Sequence, residues 1–365
     1  MIERDDLKAA VAAGVITERQ AAHLATLSDA RRGTRAAVRP GEEPFELFRG
    51  FNEIFIVVGL VILAVGWQGL SAGLTFMSGL ADGDFAGAYA TMSGIGALIV
   101  WGLSEYFIRR RRMVAPAITL TVFFGLAAGG TTLPLLLRGA AVAAFTADTS
   151  DIVTAVAIVI GAMALHFWRF RVPFTLALIA LSLFAATILV IAGAGGGVPE
   201  PGDLFLLGAQ GPYAYATLLL GVLFFAVAMG FDMSDPHRVT RRAANGFWLH
   251  VVAAPAIVNT IALSLIDDPT PGRLGVLAAF LALIALVAIV IDRRSFLVAG
   301  AGYTVILAGL VAEGTGIALA ILTIGAALVL LGALWERIRG VLLRLLGPAL
   351  PLRRLPPVSG VGEMT

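Results

Sequence analysis

The sequence predicts an all-α polytopic membrane helix bundle of about ten transmembrane helices, with a small cytoplasmic N-terminal helical hairpin. Three observations lead there. The 365 residues are 59% hydrophobic with a mean hydropathy of +0.92, far outside the range of a soluble globular domain. Apolar runs repeatedly reach the roughly 20 residues that a helix needs to cross the hydrocarbon core. When those runs are threaded alternately through a bilayer, 24 of the 26 Lys+Arg residues fall on one side. Arg-rich short loops stay in the cytoplasm, so the asymmetry predicts a multi-pass protein with both termini inside.

Residues 1–44 read as a cytoplasmic hairpin and linker. A first helix runs from about Glu3 to Ala13 and stops at Gly14, a natural C′ residue. Thr17-Glu18-Arg19-Gln20 matches a capping box that opens a second helix. Leu7 and Val11, then Ala21, Leu24 and Leu27, give each helix an apolar stripe. Such a pair is too small to hold a core alone. It is expected to dock on the membrane domain, on itself in a homo-oligomer, or on a cytoplasmic protein partner. Arg31 to Pro44 reads as a linker. These 44 residues are charged and contain no signal-peptide-like apolar stretch, so the first span is expected to act as its own insertion signal.

Residues 45–336 form the membrane domain. Phe45 to Phe51 is an amphipathic lead-in whose aromatics suit the headgroup layer. The ten spans are placed at about 52–70, 86–108, 114–135, 152–168, 173–193, 213–231, 244–266, 274–291, 296–311 and 317–335. Arg109 to Arg112, Arg169 with Arg171, Arg238 with Arg241 and Arg242, and Arg293 with Arg294 mark the inner connections. Only Arg138 and Arg273 lie outside. Residues 337–365 read as a cytoplasmic amphipathic, basic tail. Two sets of five spans would enter from opposite faces, as in the inverted repeats of secondary transporters, but no residue-level similarity between the halves accompanies this.

Leu7 to Thr17, leading to Gln20-Ala21-Ala22 and then to Pro44-Phe45-Glu46-Leu47-Phe48-Arg49-Gly50-Phe51, resembles a group of bacterial predicted membrane proteins of unknown function. In these a short hairpin with a G-[LIV]-I-[ST]-x-x-Q-A turn precedes a multi-spanning domain. The resemblance covers about the first 65 residues. It implies a bacterial inner-membrane protein and transfers no functional residues.

Chemistry is sparse. The chain has no cysteine and its single lysine is Lys8, which removes disulfides, thiolate sites, a Walker A loop and intramembrane Schiff-base chemistry. Gly69-Leu70-Ser71-Ala72-Gly73 matches a nucleophile elbow, but that motif needs a strand, a turn and a nearby histidine. Here it lies where a membrane helix is expected to reach the outer surface, with none of the four histidines on that side, and reads as chance. No nucleophile, base and metal converge, so no enzyme and no cofactor are expected. The Arg runs are read as topology determinants that contact anionic lipid headgroups, not nucleic acid. Gly125 and Gly129 form a GxxxG element, read as intramolecular packing.

Ionisable residues at membrane depth are functional candidates by default. Glu53, Glu105, His166 and His250 all lie near the cytoplasmic ends of their helices and suggest a polar layer opening inward. The seventh span is the most polar, with His250, Pro255 and Asn259. One reading makes it a kinked helix lining a cavity. The other makes Pro255 a structural kink, with Asn259 bonded to an adjacent helix. The candidate cavity-lining set is therefore His250, Pro255, Asn259, His166, Glu105 and Glu53. Two functions follow: transport of a small solute or lipid, or a non-catalytic membrane scaffold or sensor whose hairpin binds a partner.

Overall fold

A computed structural model of the chain describes residues 51–136, 149–209, 211–236, 238, 241–312, 315–347, 351 and 354–356, with 10, 13–16, 20 and 24 near the N-terminus. Most of the hairpin, including Thr17, lies outside the described residues, as do the 45–50 lead-in and the end of the tail. Gly14 is described. It adopts φ 71°, and the Val15 amide donates to the Ala10 carbonyl at 2.9 Å. That bond, spanning five residues across a left-handed glycine, is the Schellman closure of a helix end.

Eleven helices are described. They are α1 (Phe51–Asp82), α2 (Phe85–Ser104, continued by a π-helical turn Glu105–Arg110), α3 (Ala115–Leu136), α4 (Thr149–Phe170) and α5 (Phe174–Ile191, continued by a π-helical turn Ala192–Gly196). Then come α6 (Tyr213–Ser234), α7 (Arg241–Ile266), α8 (Pro271–Ile291), α9 (Ser295–Val311), α10 (Thr315–Ala333) and α11 (Trp335–Leu346). Among the described residues nine helices are long and apolar enough to cross a membrane. The expected ninth span, α9, has the apolar composition but only 17 residues.

The first span differs most from expectation. α1 has 32 residues, a rise of roughly 48 Å at 1.5 Å per residue, and it does not stop near Leu70. The Gly/Ser/Ala stretch that suggested an end is followed by Leu74, Phe76, Met77 and Leu80, and the helix continues through it. Propensity is a weak prior against that apolar context. Ser71 is thus mid-helix, its hydroxyl donating to the Gln68 carbonyl, with no strand or sharp turn around it. Gly83 at φ 74° and Asp84, which accepts from the Gly87 amide at 2.8 Å, make the tight turn into α2.

Helix neighbours follow a rule. α1 packs on α2 and α3, α2 on α3, α3 on α4 and α5, and α4 on α5. Four helices later, α5 packs on α6 and α7, α6 on α7, α7 on α8 and α9, and α8 on α9. The same neighbour order thus recurs at a shift of four helices. α3, α5 and α7 each pack on four other helices. α7 is the most buried of the long helices and α10 the least, with its apolar surface left outward. Small residues allow the closest approach. Gly221 on α6 sits where a Cβ would lie 2.9 Å from Ala256 Cβ on α7. Gly125 meets Met163 of α4, whereas Gly130, not Gly129, meets Ser93 of α2.

The ends of the bundle differ in chemistry. At the arginine-rich end, each of four connectors turns on one non-glycine residue with positive φ: Arg112, Arg171, Arg238 and Asp292. At the opposite end, the segment after α5 folds onto α7. There Ser264 Oγ accepts from the Leu207 amide at 2.8 Å and donates to the Thr260 carbonyl at 2.7 Å.

Candidate functional site

The densest polar chemistry lies at the arginine-rich end of α6, α7 and α8. Asp232 is in the last turn of α6, facing α7 at Gly246. A Cβ on Gly246 would fall 2.4 Å from Asp232 Oδ1, so the missing side chain makes room for the carboxylate. Arg293, from the α8–α9 connector, donates to it through Nε at 2.9 Å and through Nη2. The same Nη2 donates to the Ala243 carbonyl at 2.9 Å. One planar guanidinium thereby ties the end of α6, the start of α7 and the α8–α9 connector, a fork that an ammonium cannot reproduce. Arg293 is almost wholly buried. Burial brings its guanidinium down to about 10, still far enough above neutrality to keep it charged.

His250 completes this group. Its Nε2 lies 2.9 Å from Asp232 Oδ2, and its ring packs edge-on against Phe225 and Phe296. Its Nδ1 has no hydrogen-bond partner among the described residues. A carboxylate holding an imidazole at one nitrogen fixes the ring's orientation and the proton on that nitrogen.

A second group adjoins it. Asp292 occupies the left-handed C′ position of α8, and the next amide, Arg293, closes the helix onto the Ala288 carbonyl at 2.9 Å. The Asp292 carboxylate accepts from Arg238 Nη1 at 3.0 Å and from Trp335 Nε1 at 2.6 Å. Arg339 donates to the Ile289 carbonyl at 3.1 Å and to the Pro356 carbonyl at 2.7 Å. Burial pulls the Arg339 guanidinium below its ordinary value, while Asp292 acts in the opposite sense. Arg339 thereby adds a cationic donor to the carbonyls at the C-terminal end of α8, where the helix dipole favours positive charge. Leu343 and Leu355 then join Ile291 and Phe296 in one apolar cluster, which seats α11 beneath α8.

The six residues singled out in the sequence take separate places, and no two of them share a hydrogen bond among the described residues. Glu53 is buried and accepts from the Val114 and Ala115 amides at 3.4 and 3.1 Å, an anion at the N-terminus of α3. Glu105 is half-buried between Arg109 and Arg169, at 3.0 and 2.7 Å. His166 is enclosed by Trp101, Phe124 and Phe170, and neither ring nitrogen has a partner among the described residues. Asn259 Oδ1 accepts from the Tyr303 hydroxyl of α9 at 3.0 Å. Pro255 is exposed on the outer side of α7, which runs unbroken through it. His250 faces Asp232, so the two polar residues of the seventh span meet different neighbours.

Asp232, Asp292, Arg293, Trp335 and Arg339 were not singled out as site residues. One signal for them exists in the sequence. In the threading 15 of the 24 acids share the side of the arginines, and the topology rule gives them little weight. Yet Glu53, Glu105, Asp232 and Asp292 all have named partners there. At the opposite end Asp82, Asp84, Glu200, Asp267 and Asp268 are exposed.

Among the described residues, no three His, Asp or Glu side chains come together as a metal site. No family model, curated protein or solved structure matches the chain.

Proposed function

We propose that this polytopic membrane protein is a non-catalytic membrane scaffold or sensor, in which a closed charge cluster at the arginine-rich end holds the bundle and the C-terminal helix as one unit. The observation that carries the reading is the occupancy of the polar groups. Glu53 is bound by two backbone amides, Glu105 by two arginines, His250 by Asp232, and Asn259 by Tyr303. Side chains engaged in this way hold helices together, and of their buried polar atoms only His250 Nδ1 lacks a partner among the described residues. In this reading the protein sits in a bacterial inner membrane with both termini in the cytoplasm, on the strength of the basic-residue asymmetry. Its exposed arginines contact anionic headgroups, and the N-terminal hairpin is the element that meets a cytoplasmic protein or a second copy.

Transport of a small solute or lipid is the second reading. The unpartnered nitrogens of His166 favour it, since a buried polar group without a partner costs about 1–3 kcal/mol. Thiol accessibility separates the two, and the absence of native cysteine makes the test clean. In opened membrane fragments, His250→Cys and Asn259→Cys are expected to stay inert to a water-soluble thiol reagent that labels Asp268→Cys. Labelling at 250 and 259, blocked by a candidate solute, would replace the scaffold reading with transport.

A further inference from the structure

α11 carries two apolar stripes. One is the docked face already described, with Trp335, Arg339 and Leu343 buried. The other consists of Leu334, just before the helix, with Val341 and Leu345, which are 50% and 73% exposed. At 100° per residue these three fall within roughly 40° of one another. Arg337 and Arg344, both exposed, run along one flank of that stripe. Apolar side chains bordered by guanidinium groups match a lipid–water boundary, where the stripe enters the acyl margin and the arginines reach phosphate.

Position supports the same partner. α11 starts two residues after Ala333, the end of α10, whose outward surface is apolar and bare of protein. The stripe therefore continues from a membrane-spanning surface. We propose that α11 lies in the plane of the membrane surface, docked on α8 by one face and on an anionic lipid interface by the other. This rests on reading α10 as a membrane span and is independent of the choice between scaffold and transporter. Since Trp335 and Arg339 tie α11 to Asp292 and to the end of α8, a change at the lipid surface acts directly on the α8–α9 connector.

The test uses the full-length protein in vesicles of phosphatidylcholine alone, or of equal parts phosphatidylcholine and phosphatidylglycerol. Nitroxide labels are placed singly at Val341→Cys, Leu345→Cys, Leu322→Cys on the exposed face of α10, and Asp268→Cys in an exposed connector. Collision with lipid-dissolved oxygen is compared with collision with a water-soluble nickel chelate. Positions 341 and 345 are expected to favour oxygen as 322 does, and more strongly in the anionic vesicles. The double variant Arg337→Gln/Arg344→Gln is expected to abolish that dependence on composition. Nickel accessibility at 341 and 345 equal to that at 268 would overturn the proposal, as would label broadening that grows with protein density, which would seat a second copy on the stripe. Equal depth in both vesicle types would remove the anionic partner. Nickel access at 322 as well would instead refute α10 as a span, so the two failures are distinguishable.

Discussion

Arg293 holds the Asp232 carboxylate with two guanidinium nitrogens, and with one of them also holds the carbonyl of Ala243. Two consecutive helix ends and a connector at least 50 residues further along the chain meet at this one side chain. Four helices earlier Arg169, at the end of α4, reaches Glu105, at the end of α2. In both cases an acid closing one helix is bound by an arginine at the end of the helix two later, α2 with α4 and α6 with α8. The second copy is buried. The first is half-exposed.

Gly246 is expected to tolerate no side chain. Gly246→Ala places a methyl group against Asp232 and within 3.2 Å of the Ala228 carbonyl. Overpacking of this kind costs about 1–3 kcal/mol, so the thermal midpoint of the purified protein in detergent should fall. Gly230→Ala, where nothing lies within 4 Å of the added carbon, should be neutral or gain up to about 1 kcal/mol from helix propensity. Equal behaviour of the two variants would contradict the close approach of α6 and α7 at the carboxylate.

Glu53 acts as a cap supplied by another helix. Glu53→Ala leaves the Val114 and Ala115 amides at the buried start of α3 without their acceptor and should cost about 0.5–2 kcal/mol. Glu53→Gln keeps one acceptor oxygen and should lose less. Thermal unfolding checks both, and an unchanged midpoint for Glu53→Ala would remove the capping role.

Orientation is testable independently of stability. Reporter fusions truncated at Arg112 and at Gly197 should report the cytoplasm and the exterior respectively, because 24 of the 26 Lys+Arg residues fall on one side of the threading. The same compartment at both positions would refute the threading.

The span pattern was legible because hydropathy and arginine placement are one-dimensional signals. The starts and ends of α3 to α8 lie within a few residues of expectation. α1 was misjudged because Gly69 to Gly73 resembles a helix end locally, and only the apolar residues beyond it carry the helix on. The site was less legible. His250 was identifiable as a polar residue in an apolar span, but its partner lies on α6, and pairing across helices leaves no periodicity in a single sequence. Arg293 and Arg238 were read as topology markers, a role that conceals their bonds to Asp232 and Asp292. Pro255 was legible as a mid-helix proline; that α7 continues through it with its side chain exposed was not, since a single sequence does not show which face meets a neighbour. The four-helix repeat was invisible because it resides in neighbour order, with no matching residue pattern to reveal it.

The central claim is that Asp232 and Arg293 act as one buried pair that locks the arginine-rich end. A double-mutant cycle on thermal stability tests it most directly. Asp232→Ala and Arg293→Ala should each cost about 3–5 kcal/mol, because each leaves the opposite charge buried and uncompensated. The double variant should lose far less than the sum, since neither stranded charge remains. Losses that simply add would mean that the two side chains act independently, and would contradict the account.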